Sequence, residues 1–144
     1  MITILHKGFL MSKKILIVDD EIDVIDSVKL GLENSDENLE VIGIDSGEKC
    51  LNYLSETQAN PDLIILDIMM PGMDGWQLLN RIKENNNLRD IPLVFLTAKD
   101  DDFTVTFARS QAEDFIEKPF NMDDLKVRIF NILNKHDKNF LSIK

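Results

Sequence analysis

Four apolar runs in this chain each end in a polar residue of a distinct kind, and that repetition narrows the folds open to it. Ile15-Leu16-Ile17-Val18 leads into Asp19 and Asp20, and Leu63-Ile64-Ile65-Leu66 leads into Asp67. Leu93-Val94-Phe95-Leu96 leads into Thr97, and Phe115-Ile116-Glu117 leads into Lys118-Pro119. Val41-Ile42-Gly43-Ile44 supplies one further run. The runs are continuous rather than alternating, as in strands buried on both faces. Between them lie segments of helical period: Ile22, Ile25, Val28 and Leu32; Leu51 and Leu54; Leu78, Leu79 and Ile82; and Leu125, Ile129, Ile132 and Leu133. Strand–helix alternation over the whole chain predicts an α/β fold, a doubly wound, five-stranded parallel sheet with helices on both faces.

The punctuation agrees with that reading. Asn60-Pro61 and Asp90-Ile91-Pro92 open the third and fourth strands, and Asn85-Asn86-Asn87 reads as a loop. Pro71-Gly72-Met73-Asp74-Gly75 reads as a turn, with Asp74 a cap for the third helix. Asp100, Asp101 and Asp102 would start the fourth helix, where the macrodipole favours negative charge. The fifth helix should fade near Asn134 or Lys135. The expected organisation is an extension over residues 1–11, a domain over 12–135 and a short tail over 136–144. The extension reads as a mis-assigned start, a remnant added upstream or an interaction arm. It lacks the long apolar stretch and cleavage site of a signal peptide.

A chain of 144 residues is long enough for one domain with a sizeable core. No segment approaches the ~20 apolar residues of a membrane span. Lys and Arg total 16 against 26 Asp and Glu, a net charge of −10. Such a charge opposes direct nucleic-acid binding and favours protein or cation partners. Cys50 is the only cysteine, so no intrachain disulfide forms, which fits a reducing cytoplasm. Placed among Leu51 and Leu54, it reads as a packed thiol.

Ligands of open α/β sheets bind outside the carboxyl ends of the strands, where the strand order reverses. In the order 2-1-3-4-5, strands one and three are neighbours at that point. Asp19, Asp20 and Asp67 would then converge, with Thr97 and Lys118 to one side. Carboxylates that close repel one another unless a cation intervenes. Mg²⁺ suits such a site, because it binds through a few carboxylates and keeps waters and phosphate oxygens. An Asp carboxylate can serve as nucleophile toward phosphorus, with a lysine and a threonine hydroxyl on the phosphoryl oxygens. Each residue also has a plainer reading. Asp19 and Asp20 could cap the first helix, Asp67 could satisfy turn amides, Thr97 could cap a helix, and Lys118 could be solvated. Four strand ends matching together argue against coincidence.

At these residues the chain resembles the response regulator receiver family of two-component signalling, from about Lys13 to Asn134. The resemblance rests on Ile-Leu-Ile-Val-Asp19-Asp20-Glu21, on Leu-Ile-Ile-Leu-Asp67-Ile-Met-Met-Pro71-Gly-Met-Asp74-Gly75, on Leu96-Thr97-Ala98 and on Phe115-Ile-Glu-Lys118-Pro119-Phe120. It implies a flavodoxin-like receiver fold of strand order 2-1-3-4-5. Asp67 would be the phosphoacceptor, charged by a sensor histidine kinase or a phosphotransfer protein. Asp20, Asp67 and the Met69 backbone carbonyl would ligate Mg²⁺, with Asp19 acting mainly through a metal-bound water. Lys118 would contact the phosphoryl group, across a cis bond to Pro119. Thr97 and Phe115 look like the switch pair, remodelling the face of the fourth helix, fifth strand and fifth helix. The plainer reading of Phe115 is core. The resemblance further implies a downstream protein partner and allows a homodimer through that same face.

Some residues are particular to this chain. Met69, two past the acceptor, would hinder water and slow hydrolysis of the phosphoryl group; Lys99 lies two past the threonine. Gln111-Ala112 stands where the family usually has Gly-Ala, and Gln enters a left-handed helix terminus less readily than Gly. Trp76 reads as a packing residue, and His6 and His136 carry no expected chemistry. The expected function is a signalling switch, stand-alone or part of a longer regulator, that catalyses only its own phosphorylation and dephosphorylation. A metal-dependent phosphohydrolase would want an acid at position 69 and a cap insertion. A nucleotide-binding module would want a glycine-rich phosphate loop. A phosphorylation-independent docking domain is the third reading, and the intact acidic set with Lys118 opposes it.

Overall fold

The computed structural model describes residues 12–35, 38–57, 60–98, 106 and 110–136. Within them lie β1 (Lys13–Val18), α1 (Ile22–Glu33), β2 (Leu39–Ile44), α2 (Gly47–Glu56), β3 (Leu63–Asp67), α3 (Gly75–Lys83), β4 (Leu93–Thr97), β5 (Asp114–Glu117) and α4 (Met122–His136). The five strands form one parallel sheet in the order β2-β1-β3-β4-β5. This is the doubly wound arrangement expected.

Because strand side chains alternate in direction, the continuous apolar runs split into two cores. Leu16, Val18, Ile64, Leu66 and Phe95 face α2 and α3, meeting Cys50, Leu54, Leu78, Leu79 and Ile82. Ile15, Ile17, Leu63, Ile65, Val94 and Leu96 face α1 and α4, meeting Ile25, Val28, Leu32, Leu125 and Ile129. Every residue of β3 and β4 is buried, whereas the edge strands β2 and β5 are buried in part. Cys50 lies inside the first core, and burial pushes its thiol up to about 12, so it is an inert packing group.

Local signals act where the sequence put them. Asp74 caps α3 by accepting from the Gln77 amide at 2.9 Å, and the Gln77 side chain answers by accepting from the Asp74 amide at 3.0 Å. Trp76 packs against Phe95 with ring centroids 4.9 Å apart, so it is a packing residue as expected. Gln111 sits at the end of a helical turn. Among the described residues no non-glycine has a positive φ, so Gln111 takes no left-handed conformation. His136 differs from its assignment to the tail: it ends α4, and its Nε2 lies 3.2 Å from Glu113 Oε2. The extension 1–11 with His6, the acids Asp100–Asp102, Lys99, most of the fourth expected helix and the tail 137–144 lie outside the described residues. The expected homodimer face is therefore described only in β5 and α4. No helix among the described residues is long and apolar enough to cross a membrane.

Candidate functional site

The sheet carries its polar residues to one edge. Asp19 follows the last residue of β1, Asp67 ends β3, Thr97 ends β4 and Lys118 follows β5. Backbone bonds past the strand ends fix these positions: Asp19 N donates to Ile44 O at 3.0 Å, and Ile68 N to Leu96 O at 3.1 Å. Lys118 N donates to Thr97 O at 2.6 Å. The Lys118–Pro119 bond is cis, as the resemblance implied.

Asp19, Asp20 and Asp67 each present a carboxylate oxygen within 4.8 Å of the others. Asp19 is fully buried, Asp67 is 2 % exposed and Asp20 is exposed. Asp19 Oδ1 accepts from the Glu21 amide at 2.8 Å, and Asp67 Oδ1 accepts from the Met69 amide at 3.3 Å. The Lys118 ammonium stands 2.8 Å from Asp19 Oδ2, 3.0 Å from Glu21 Oε1 and 3.6 Å from Asp67 Oδ1. Beyond this ion pair with Lys118, the buried Asp19 Oδ2 has no hydrogen-bond partner among the described residues.

Burial pushes the Asp67 carboxyl up to about 7, and the charge of Asp19 adds to the rise; Lys118 and the Met69 amide only partly oppose it. Burial pulls the Lys118 ammonium down, but its close contacts with Asp19 and Glu21 and the charges of Asp67 and Asp19 prevail and hold it at about 12. Three hard oxygen donors in one place, one of them lacking a hydrogen bond and another starved of its charge, fit a small divalent cation. The same set supplies a nucleophilic carboxylate beside a fixed cation.

Thr97 is buried at the adjoining strand end. Met69 is 69 % exposed at the rim. Phe115 is half-buried on β5 and packs, as Trp76 does, against the core cluster that contains Phe95. Two contacts escaped the sequence reading. Glu21 reaches Lys118 across 97 positions of sequence. Arg128 Nη1 donates to Phe115 O at 3.1 Å and to Asp114 Oδ1 at 3.1 Å, tying α4 to the strand that carries Phe115. For Glu21 a signal existed, since Glu is a poor residue at a helix N-cap. For Arg128 there was none.

The family profile of the response regulator receiver domain matches residues 15–130, and the chain belongs to that family. It is 35 % identical over 128 residues to the alkaline phosphatase synthesis transcriptional regulatory protein PhoP of Bacillus subtilis, covering 88 % of this chain and 51 % of that protein. The chain thus spans about half the length of the curated relatives it matches. Among solved structures it resembles the signal receiver domain of a signal transduction histidine kinase from Syntrophus aciditrophicus, with TM-score 0.77 and 32 % identity over 88 % of this chain and 93 % of that one. It also resembles the Mn²⁺-bound form of response regulator Rcp1, with TM-score 0.71 and 28 % identity over 85 % and 92 %.

Proposed function

We propose that this chain is a phosphoryl-accepting switch in which Asp67 takes its phosphoryl group from a sensor histidine kinase or a relay phosphohistidine. The placement of Asp67 carries the reading: a carboxylate almost closed to solvent, held up at about 7, with two acids and one ammonium converging on it. Such crowding is unfavourable for a merely structural carboxylate and useful for a nucleophile. An Asp67 oxygen attacks phosphorus, the P–N bond of the donor breaks, and the imidazole leaves with a proton from solvent. Lys118 pairs with one phosphoryl oxygen and the Thr97 hydroxyl donates to another.

Asp19, Asp20, Asp67 and the Met69 carbonyl are the groups that would hold Mg²⁺, which when bound neutralises charge on the transferring group. The Mn²⁺-bound form of Rcp1 supports a divalent cation at this kind of site. The chain catalyses only its own phosphorylation and dephosphorylation. Thr97 and Phe115 pass the change to a protein-binding face, and the site works in the cytoplasm with no direct contact to nucleic acid or membrane. Labelling by acetyl phosphate tests the metal requirement: a covalent phosphoryl group forms with Mg²⁺ and is lost with EDTA. Undiminished labelling in EDTA contradicts the role given to the acidic set.

The exposed Met69 side chain at the rim leads to a further expectation, a long-lived phosphoryl group. Met69→Asn offers water a hydrogen-bonding side chain there, so dephosphorylation of the labelled protein should speed up several-fold. Fast decay of the parent protein, unchanged by the substitution, removes that role for Met69.

A further inference from the structure

Lys118 is the only cation ion-paired to the acidic set among the described residues, and it is shared. Its ammonium has three N–H donors, and three carboxylates of Asp19, Glu21 and Asp67 lie within 3.6 Å of it. A phosphoryl group on Asp67 brings a charge near −2 and oxygens that need the same donors. Of these three, Glu21 is the carboxylate that takes a formed hydrogen bond from the ammonium, at 3.0 Å, so a phosphoryl oxygen competes with it directly. Asp19 is fully buried and fixed by the Glu21 amide, and Asp67 is the acceptor itself. Glu21 is the partner free to leave, because its side chain is 61 % exposed.

The position of Glu21 in its helix points the same way. It occupies the N-cap of α1, where Ser, Thr, Asp or Asn would bond the free amides, yet its side chain caps nothing. Its carboxylate instead reaches across to Lys118 at 3.0 Å. The helix start forgoes a cap, and the lysine gains a counter-anion.

We propose that Glu21 is a positioning residue that holds Lys118 in the resting state and is displaced when Asp67 is phosphorylated. The inference rests on the phosphoacceptor reading above and adds a residue that sets its equilibrium. The phosphoryl group competes with Glu21 for the Lys118 ammonium and also meets the Glu21 charge, so both effects weaken the phosphorylated state. Removing the charge therefore strengthens it.

Beryllofluoride with Mg²⁺, an analogue of the aspartyl phosphate, tests this when titrated against the fluorescence of Trp76, the single tryptophan. Glu21→Gln should lower the apparent dissociation constant by about two- to tenfold, in keeping with a partly exposed pair. Asp26→Asn removes an equal charge from an exposed position on the same helix and should change it less than about twofold. In metal-free protein, hydrogen exchange at the Lys118 ammonium, followed by ¹⁵N NMR, should quicken in Glu21→Gln and not in Asp26→Asn. An unchanged or weaker beryllofluoride affinity in Glu21→Gln overturns the proposal, and so does an equal gain in Asp26→Asn. Unchanged ammonium exchange overturns it as well. If the parent protein binds no beryllofluoride, it is the phosphoacceptor reading that fails.

Discussion

Asp67→Asn should take no phosphoryl group and yet, without metal, should be more stable than the parent protein at pH 8. The carboxyl is 2 % exposed and burial, then Asp19, push it up to about 7. In the unfolded chain an Asp ionises near ~3.9. Between those values the folded state binds more protons than the unfolded one, so stability falls as pH rises. The penalty is absent below the lower value, grows through the window and is complete above about 7. Asn keeps the shape and the acceptor oxygen while removing the charge. The gain at pH 8 should be roughly 1–3 kcal/mol, a few degrees or more in melting temperature for a domain of this size. At pH 5 it should shrink. Mg²⁺ should stabilise the parent protein by binding its folded state and do much less for the variant. Thermal unfolding at both pH values, with EDTA and with Mg²⁺, checks each statement. A variant less stable than its parent at pH 8 in EDTA contradicts the assigned environment of Asp67.

Gly75→Ala should cost about 2–3 kcal/mol through overpacking that cannot relax. A Cβ there would lie 2.6 Å from Asp67 O and 2.7 Å from Ile68 Cα. Both are backbone atoms at the end of β3, held by the bond from Gly75 N to Ile68 O at 2.9 Å. Making room would move the residue that bears the nucleophile, so labelling of Asp67 should slow as well. Gly31→Ala is the instructive control. Its Cβ would come as close as 2.4 Å to a neighbour, but that neighbour is the thioether of Met122, a flexible side chain. With alanine's better helix propensity, worth up to about 1 kcal/mol, Gly31→Ala should be near neutral. Denaturant midpoints of the two variants separate the cases. Equal, small effects would mean that the β3–α3 turn has slack.

Much of this was legible in the sequence because the relevant forces are local or periodic. Continuous runs such as Leu63-Ile64-Ile65-Leu66 can only be buried on both faces, and β3 is. Asp74 stood just before a helical stretch as its cap, and it caps, with Gln77 answering to complete a capping box. Strand ends could be aligned from the chain alone because parallel strands all present their carboxyl ends at one edge. The edge strand was harder: β2 begins at Leu39, two residues before its apolar run, because Glu40 faces solvent and breaks the pattern. Leu88 and Ile91 were passed over, since they are core residues carried by a loop without period. Long-range ion pairs left still less trace. Nothing near Arg128 in sequence announces Asp114 or the Phe115 carbonyl, which topology alone brings within reach. The resting partner of Lys118 was hidden in the same way, although Glu21 stood at a position where a capping residue would serve the helix better.

Asp67, and no other acid of the site, is the residue expected to receive the phosphoryl group. The direct measurement is to label the protein with acetyl phosphate and Mg²⁺, reduce the acyl phosphate with borohydride and map the product by peptide mass. The expected result is one added phosphoryl group per chain, homoserine at position 67 after reduction, and no label in Asp67→Asn. Label at Asp19 or Asp20, or undiminished label in Asp67→Asn, would contradict it.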